Sequence, residues 1–203
     1  MITIYNLKPY FQNCLRPICS GIVNKGITAN HVTIVSAVLS VVFGLFLIIL
    51  NKYQWIFFIL PFFMFFIMAL NAIDGIIAKE FNMKTPEGAI LNELCDVISD
   101  IFLYIPFAFI PGISSIIIVI ITMLSIITEM AGILAFSIGA DRKYDGPIGK
   151  SDRAFVFSVV AIAVGFEIDP GLFTVVFLII IFLQVFTIYN RIKSALKSSG
   201  ERF

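Results

Sequence analysis

The sequence predicts an all-α integral membrane protein, with six transmembrane helices preceded by an amphipathic interfacial helix and both termini cytoplasmic. The first observation is composition: of 203 residues, 60% are hydrophobic and only 13% charged, at a mean hydropathy of +1.03. Soluble domains run near 45–50% apolar and about 25% charged because water must be met by polar groups, so the surplus apolar surface here must face lipid. The second is spacing. Six apolar stretches, 32–50, 54–78, 88–110, 113–140, 153–169 and 171–190, each come near the roughly 20 residues that cross a hydrocarbon core. The third is charge placement: of 14 Lys and Arg, only Lys52 falls in an outward connection, and positive charge collects on the cytoplasmic side.

Residues 1–27 form the interfacial helix. Lys8, Arg16 and Lys25 break any continuous apolar core of a signal peptide, so the segment is expected to stay in the mature chain. Leu7, Tyr10, Phe11, Cys14, Leu15, Ile18, Ile22 and Val23 recur at helical spacing, with Lys8, Gln12, Asn13, Arg16, Ser20 and Asn24 opposite, the pattern of a helix lying in a membrane surface. Pro9 and Pro17 start and bend it, Gly26 turns the chain, and Asn30 is the expected N-cap of the first span. The bundle then runs over 28–190, with short outward turns at Asn51 to Tyr53, Pro111-Gly112 and Glu167 to Gly171, and 191–203 is a cytoplasmic tail. In the second span the aromatic stretch from Trp55 to Phe66 is expected to face lipid, with Trp55 as an interface anchor. No linker, low-complexity tract or repeat divides the chain, so 1–203 reads as one membrane domain whose partner is the bilayer.

Several chemistries are excluded. A net charge of +1 without a basic, aromatic-laced stripe offers no nucleic-acid groove. Cys14, Cys19 and Cys95 form no CxxC pair and read as small apolar fillers. His31 is the only histidine, which removes Ser-His-Asp catalysis and His-rich metal sites, and beside a helix start it reads as a surface residue.

The third span is the weakest by hydropathy, since its first half holds Glu93, Asp96 and Asp100. Intramembrane carboxylates face a bundle interior or a wet cavity. The preceding span ends Asn71-Ala-Ile-Asp74-Gly75-Ile-Ile-Ala78-Lys79, and the third begins Gly88-Ala-Ile-Leu-Asn92-Glu93-Leu-Cys-Asp96. At 3.6 residues per turn Asn71, Asp74 and Ala78 share one face and Gly88, Asn92 and Asp96 another. The short connection from Glu80 to Glu87 makes the two helices antiparallel neighbours. Oxygen side chains from both form a site for a hard cation, Mg²⁺ or Mn²⁺, and Gly75, Ala78 and Gly88 leave room for a phosphate-bearing ligand.

This spacing resembles the signature of the CDP-alcohol phosphatidyltransferase family, D-x2-D-G-x2-A-R-x8-G-x3-D-x3-D, with every interval kept between Asn71 and Asp96. Ile27 to Thr33 is similar to the family's pre-span segment. The resemblance implies transfer of a phosphoryl-linked group from a CDP-activated lipid or alcohol to a hydroxyl acceptor, release of CMP, a role in phospholipid synthesis, an inner-membrane site facing the cytoplasm, and a homodimer. It further implies Asp74 as a metal ligand and Asp96 as ligand and general base, with Asn71 and Asn92 at the positions of the first and third acids. Phosphoryl transfer needs mainly positioning and charge neutralisation, with a carboxylate to take the nucleophile's proton.

The departures bear on that logic. An Asn amide oxygen can ligate a cation but brings no charge, and Glu93 or Asp100 could supply part of what is missing. Lys79 stands where the family has Arg, keeping the charge without the planar fork. Gly149-Lys150 resembles a family Gly-Lys element, so Lys150, and with it Arg153 one turn on, could bind a substrate phosphate at a helix N-terminus or serve only as topology anchors. Glu129, at a depth that matches Asp100, is either functional, a protonated packing residue or part of a subunit contact. Arg142, Lys143, Arg191, Lys193, Lys197 and Arg202 read as a solvated fringe attracted to anionic headgroups. Two further readings stay open: a catalytically impaired member of the fold, because Asn71 and Asn92 remove charge, and a small ion- or proton-coupled transporter. Acids clustered at the inner ends of adjacent spans, without internal repeats, count against the transporter.

Overall fold

The computed structural model describes residues 8–199, with side chains from Gln12 onward, so the expectations for Leu7 and Arg202, and for the side chains of Lys8, Tyr10 and Phe11, lie outside what is described. The chain is helical throughout, without a strand among the described residues: α1 Lys8–Val23, α2 Ala29–Ile49, α3 Leu60–Glu80, α4 Pro86–Tyr104, α5 Ser115–Ile133, α6 Lys150–Gly165 and α7 Gly171–Ser199. Short 3₁₀ turns, Gln54–Ile59, Ile105–Phe109 and Leu134–Ile138, lead into α3 and extend α4 and α5.

Local chemistry sets the starts. The N-cap of α2 is Thr28 rather than Asn30: its hydroxyl accepts from the His31 amide at 3.4 Å, and His31 Nδ1 accepts from the Thr28 amide at 3.2 Å. His31 thus takes the role that Glu or Gln plays in a capping box. Thr85 caps α4, accepting from the Gly88 amide at 2.9 Å, and Pro86 fills the first helical position, where no N–H is missed. In the first turn of α6, Asp152 accepts from the Gly149 amide at 2.8 Å.

Four of the helical segments are long and apolar enough to cross a membrane: Ala29–Ile49, Gln54–Glu80, Ser115–Ile138 and Gly171–Ser199. The α4 helix falls short because Glu87, Glu93, Asp96 and Asp100 lie along it. The α6 helix has 16 residues, about 24 Å at 1.5 Å per residue.

Polarity runs opposite to that of a soluble protein. Large apolar side chains such as Phe62, Ile49 and Ile116 are strongly exposed, at 78%, 75% and 72%, while Asp74, Asp100, Glu129, Arg153, Gln184 and Arg191 are buried. A surface of this kind is stable only against hydrocarbon. The aromatic segment opening the second apolar stretch divides between the two environments: Trp55, Phe62, Phe65 and Phe66 face outward, but Phe57 is fully buried, edge-on to Phe107 at 5.4 Å. Tyr104 stacks on Phe157 at 4.2 Å, and Phe157 adjoins Phe177, giving one half of the bundle an aromatic core. The other half is polar, and the site lies there.

The α2 helix packs most extensively on α4, and α5 on α7. Gly44 allows the first contact, since a methyl group there would overlap the Phe102 main-chain carbonyl. The α1 helix lays Leu15 and Cys19 on Ala72, Ile73, Ile76 and Ile77 of α3, and Arg16 pairs with Glu80 at 2.9 Å; Cys14 and Ile18, expected on the same apolar face, are exposed. The three cysteines are free. Burial pushes the Cys19 thiol above its ordinary value, with the nearby Glu80 charge adding to the effect. The α3 and α4 helices are neighbours, joined by the Asn71–Asp96 hydrogen bond at 3.0 Å, but they are not closely packed. Each packs on α2, direct backbone contact between them is sparse, and side chains bridge the separation.

Candidate active site

Three helices converge at the motif. Asp74 on α3 is 4% exposed, and one of its oxygens accepts from Thr33 Oγ1 of α2 at 2.7 Å. Asn71, one turn back, accepts from Ser36 Oγ at 2.9 Å and donates through Nδ2 to Asp96 Oδ1 of α4 at 3.0 Å. Thr33 and Ser36 sit three residues apart on α2 and so present both hydroxyls to the same face of α3. Sequence reasoning missed both; the available signal was that Thr33, Ser36 and Ser40 form a polar stripe in an otherwise apolar span.

Lys150, the first residue of α6, completes the group. Its ammonium lies 2.6 Å from Asp96 Oδ1 and 3.8 Å from Asp100 Oδ1, so α6 starts against the inward face of α4. Asn92 is half-buried on α4, and Lys79 is exposed in the last turn of α3. A methyl group on Gly75 would meet nothing within 4 Å, so there is open space beside Asp74. Gly88 differs: a methyl there would lie 2.6 Å from Asn30 Oδ1, so this glycine serves a close approach of α4 to the start of α2. Ala78 is half-buried toward the α1 contact.

Beyond Asp100 the polar layer continues as a chain of ion pairs, where three expectations need correction. Arg153 is fully buried and pairs with Asp100 at 2.9 Å and Glu129 at 3.1 Å, so it is not available to a substrate phosphate. Arg191 is 2% exposed, not part of a solvated fringe; it donates to the Thr128 carbonyl at 2.6 Å and pairs with Glu129 at 3.2 Å. Arg142 likewise turns inward, to Glu129 at 3.2 Å and to Glu93. Burial lowers the Arg142 guanidinium from its ordinary value, but with two carboxylates beside it the group stays charged. Glu93 and Asp100, considered as spare ligands, are therefore each neutralised by an arginine. The signal that could have revealed this was the presence of buried acids, which require cations from elsewhere in the bundle.

The donor chemistry defines what the site can hold. Asp74 and Asp96 offer carboxylate oxygens and Asn92 an amide oxygen, while Asn71 turns its oxygen to Ser36 and its amide nitrogen to Asp96. No three His, Cys, Asp or Glu side chains among the described residues gather around a common point. Carboxylate and amide oxygens are the donor chemistry that hard divalent cations prefer.

The family model for CDP-alcohol phosphatidyltransferases matches residues 26–196. The chain belongs to this family, and it is a transferase. Over 203 residues it is 41% identical to the inner membrane protein YnbA of Escherichia coli, covering 98% of this chain and all of that one. The fold is that of Mycobacterium tuberculosis phosphatidylinositol phosphate synthase PgsA1. The crystal structure in complex with manganese and citrate superposes with a TM-score of 0.75 at 24% identity, over 91% of this chain and 90% of that one. The structure with CDP-DAG bound gives 0.72 at 23%, over 90% and 92%.

Proposed function

We propose that this family member transfers a phosphoryl-linked group from a CDP-activated lipid or alcohol to a hydroxyl acceptor and releases CMP, as a step of phospholipid biosynthesis. The observation that carries the reading is the meeting of Asn71, Asp74 and Asp96 in the polar half of the bundle, with Lys150 beside them. Asp96, at 22% side-chain exposure, is the group able both to reach an entering hydroxyl and to accept its proton. Asn71 orients that carboxylate, and Thr33 fixes Asp74. Gly75 admits the nucleotide and diphosphate, while Lys150 and Lys79 offset phosphate charge. Asp74 and Asp96, with Asn92, would hold a Mg²⁺ or Mn²⁺ ion, which when bound neutralises the diphosphate.

In this reading α2 to α7 are six spans of an inner membrane, α1 lies at its surface, and both termini and the site face the cytoplasm. Two copies form a homodimer. The inner-membrane location of the E. coli relative and the outward apolar surface support the placement.

The experiment is to incubate purified protein with a panel of CDP-linked donors and Mg²⁺ or Mn²⁺ and to follow CMP. Metal-dependent release that vanishes in Asp96→Asn is expected. If CMP never appears and CDP binding shows no metal dependence, the chain has kept the fold and lost the chemistry; ion flux in vesicles without CMP release would instead support a transporter.

A further inference from the structure

Glu129 lies outside the motif, yet the ion pairs of the polar layer converge on it. One of its oxygens, Oε1, meets Arg153 at 3.1 Å, and the other, Oε2, meets Arg191 and Arg142, both at 3.2 Å. The Arg153 side leads toward the motif: the same Nη2 atom that holds Glu129 also holds Asp100 Oδ2 at 2.9 Å, Asp100 Oδ1 faces Lys150 at 3.8 Å, and Lys150 meets Asp96 at 2.6 Å. The Arg191 side leads away, to the Thr128 carbonyl.

We propose that Glu129 is a positioning residue: by sharing Arg153 with Asp100 it keeps Asp100 Oδ1 facing Lys150, a second carboxylate to which the ammonium can turn when Asp96 takes a metal or a proton. This builds on the role assigned to Asp96 above. Arg153 is 0% exposed, so its charge must be met by buried carboxylates. With Glu129 ionised, a single Arg153 nitrogen, Nη2, meets both Glu129 and Asp100, and Nε and Nη1 have no hydrogen-bond partner. With Glu129 made neutral, the guanidinium draws Asp100 fully onto itself, because a planar fork favours two parallel bonds to one carboxylate. Lys150 then loses that second partner and stays on Asp96, which it already meets at 2.6 Å, holding the oxygen that must accept a proton and a metal.

Glu129→Gln tests this, with Arg191→Gln as its control, since Arg191 is equally buried and bonds the same carboxylate on the side away from the motif. Both variants are expected to lose similar thermal stability in detergent. Only Glu129→Gln should lower kcat for CMP release and weaken Mn²⁺ binding, followed by electron paramagnetic resonance, each by about 10- to 100-fold, the range typical of groups that orient a metal site through another residue. The KM for the donor should change much less than kcat. Equal loss of kcat and of Mn²⁺ affinity in both variants would reduce Glu129 to a structural staple, as would full retention of both quantities in Glu129→Gln. Wild-type protein that binds Mn²⁺ but releases no CMP from any donor would overturn the transferase chemistry proposed above, and the Mn²⁺ affinities would then decide the positioning role alone.

Discussion

The Lys150 ammonium lies 2.6 Å from Asp96 Oδ1, with the two side chains 25% and 22% exposed. In the proposed function a divalent cation at the motif and this lysine therefore compete for one carboxylate, while the same lysine supplies positive charge to a diphosphate. Lys150→Gln separates the two effects. Mn²⁺ should bind more tightly to the variant, whereas the donor KM should rise and kcat/KM fall by about tenfold or more, the loss of roughly 1.4 kcal/mol of transition-state stabilisation. Weaker Mn²⁺ binding in Lys150→Gln would mean that the lysine supports the cation instead of opposing it.

Thr33 is a second lever on the same site, acting through Asp74. The hydroxyl donates at 2.7 Å to a carboxylate that is 4% exposed, so Thr33→Val keeps the shape and removes the bond. An orphaned buried acceptor costs about 1–3 kcal/mol. The variant should lose that much stability in detergent, and saturating Mn²⁺ should restore part of it by giving Asp74 a new partner. An unchanged melting temperature would show that Asp74 does not depend on α2.

Two glycines that look alike in sequence should respond in opposite ways. A methyl on Gly44 overlaps the Phe102 carbonyl at the contact of α2 with α4, whereas one on Gly75 meets nothing within 4 Å. Gly44→Ala forces the helices apart, and overpacking of this kind costs about 1–3 kcal/mol. Gly75→Ala should fold with wild-type stability yet bind donor more weakly, because in the proposed function the space it fills admits the nucleotide. Melting temperature and donor KM, measured on both variants, check the pair; wild-type donor KM in Gly75→Ala would place the nucleotide elsewhere.

Much of this arrangement is legible in the sequence, for a physical reason. Helix α1 follows from apolar periodicity and α2 to α7 from apolar stretches of near-spanning length, and the motif acids had to point inward because hydrocarbon excludes unpaired carboxylates. The start of α2 was misjudged because Thr28 and Asn30 are both competent caps, and the choice is made by the His31 ring, a partner that cap statistics overlook. The burial of Arg153 and Arg191 was hidden for a different reason. Hydropathy scores an arginine as a solvent residue, and its partner Glu129 is 24 positions away from the first and 62 from the second. Only the requirement that each buried acid be matched by a cation could have pointed to them.

Thiol reactivity tests the packing of α1. Cys14 is exposed, whereas Cys19 is buried against α3 with its thiol pushed above its ordinary value. The thiolate is the reacting species, so near pH 8 Cys14 should react with a soluble maleimide well before Cys19. Raising the pH should speed Cys19 labelling over a window displaced upward from the ordinary thiol range. Equal rates for the two would mean that α1 does not stay docked on α3.

Restoring the acids that the motif lacks tests how the site balances charge. In the native chain the Asn71 amide donates to Asp96 at 3.0 Å, taking a position in which a carboxylate would repel. Asn71→Asp therefore exchanges a hydrogen bond for a like-charge contact, and Asn92→Asp adds another acid on the face of α4 that carries Asp96. Without metal the double variant should melt below the wild type. With Mn²⁺ it should gain more than the wild type, because a ligand that binds only the folded state stabilises it by RT ln(1 + [L]/Kd), about 2.7 kcal/mol at a hundred times Kd, and the added carboxylates lower Kd. Melting curves across a Mn²⁺ titration measure both halves of the prediction. A double variant that is destabilised and unresponsive to Mn²⁺ would show that Ser36, Lys150 and the asparagines have rebuilt the site around hydrogen bonds, so that returning the letters of the motif does not return the cation.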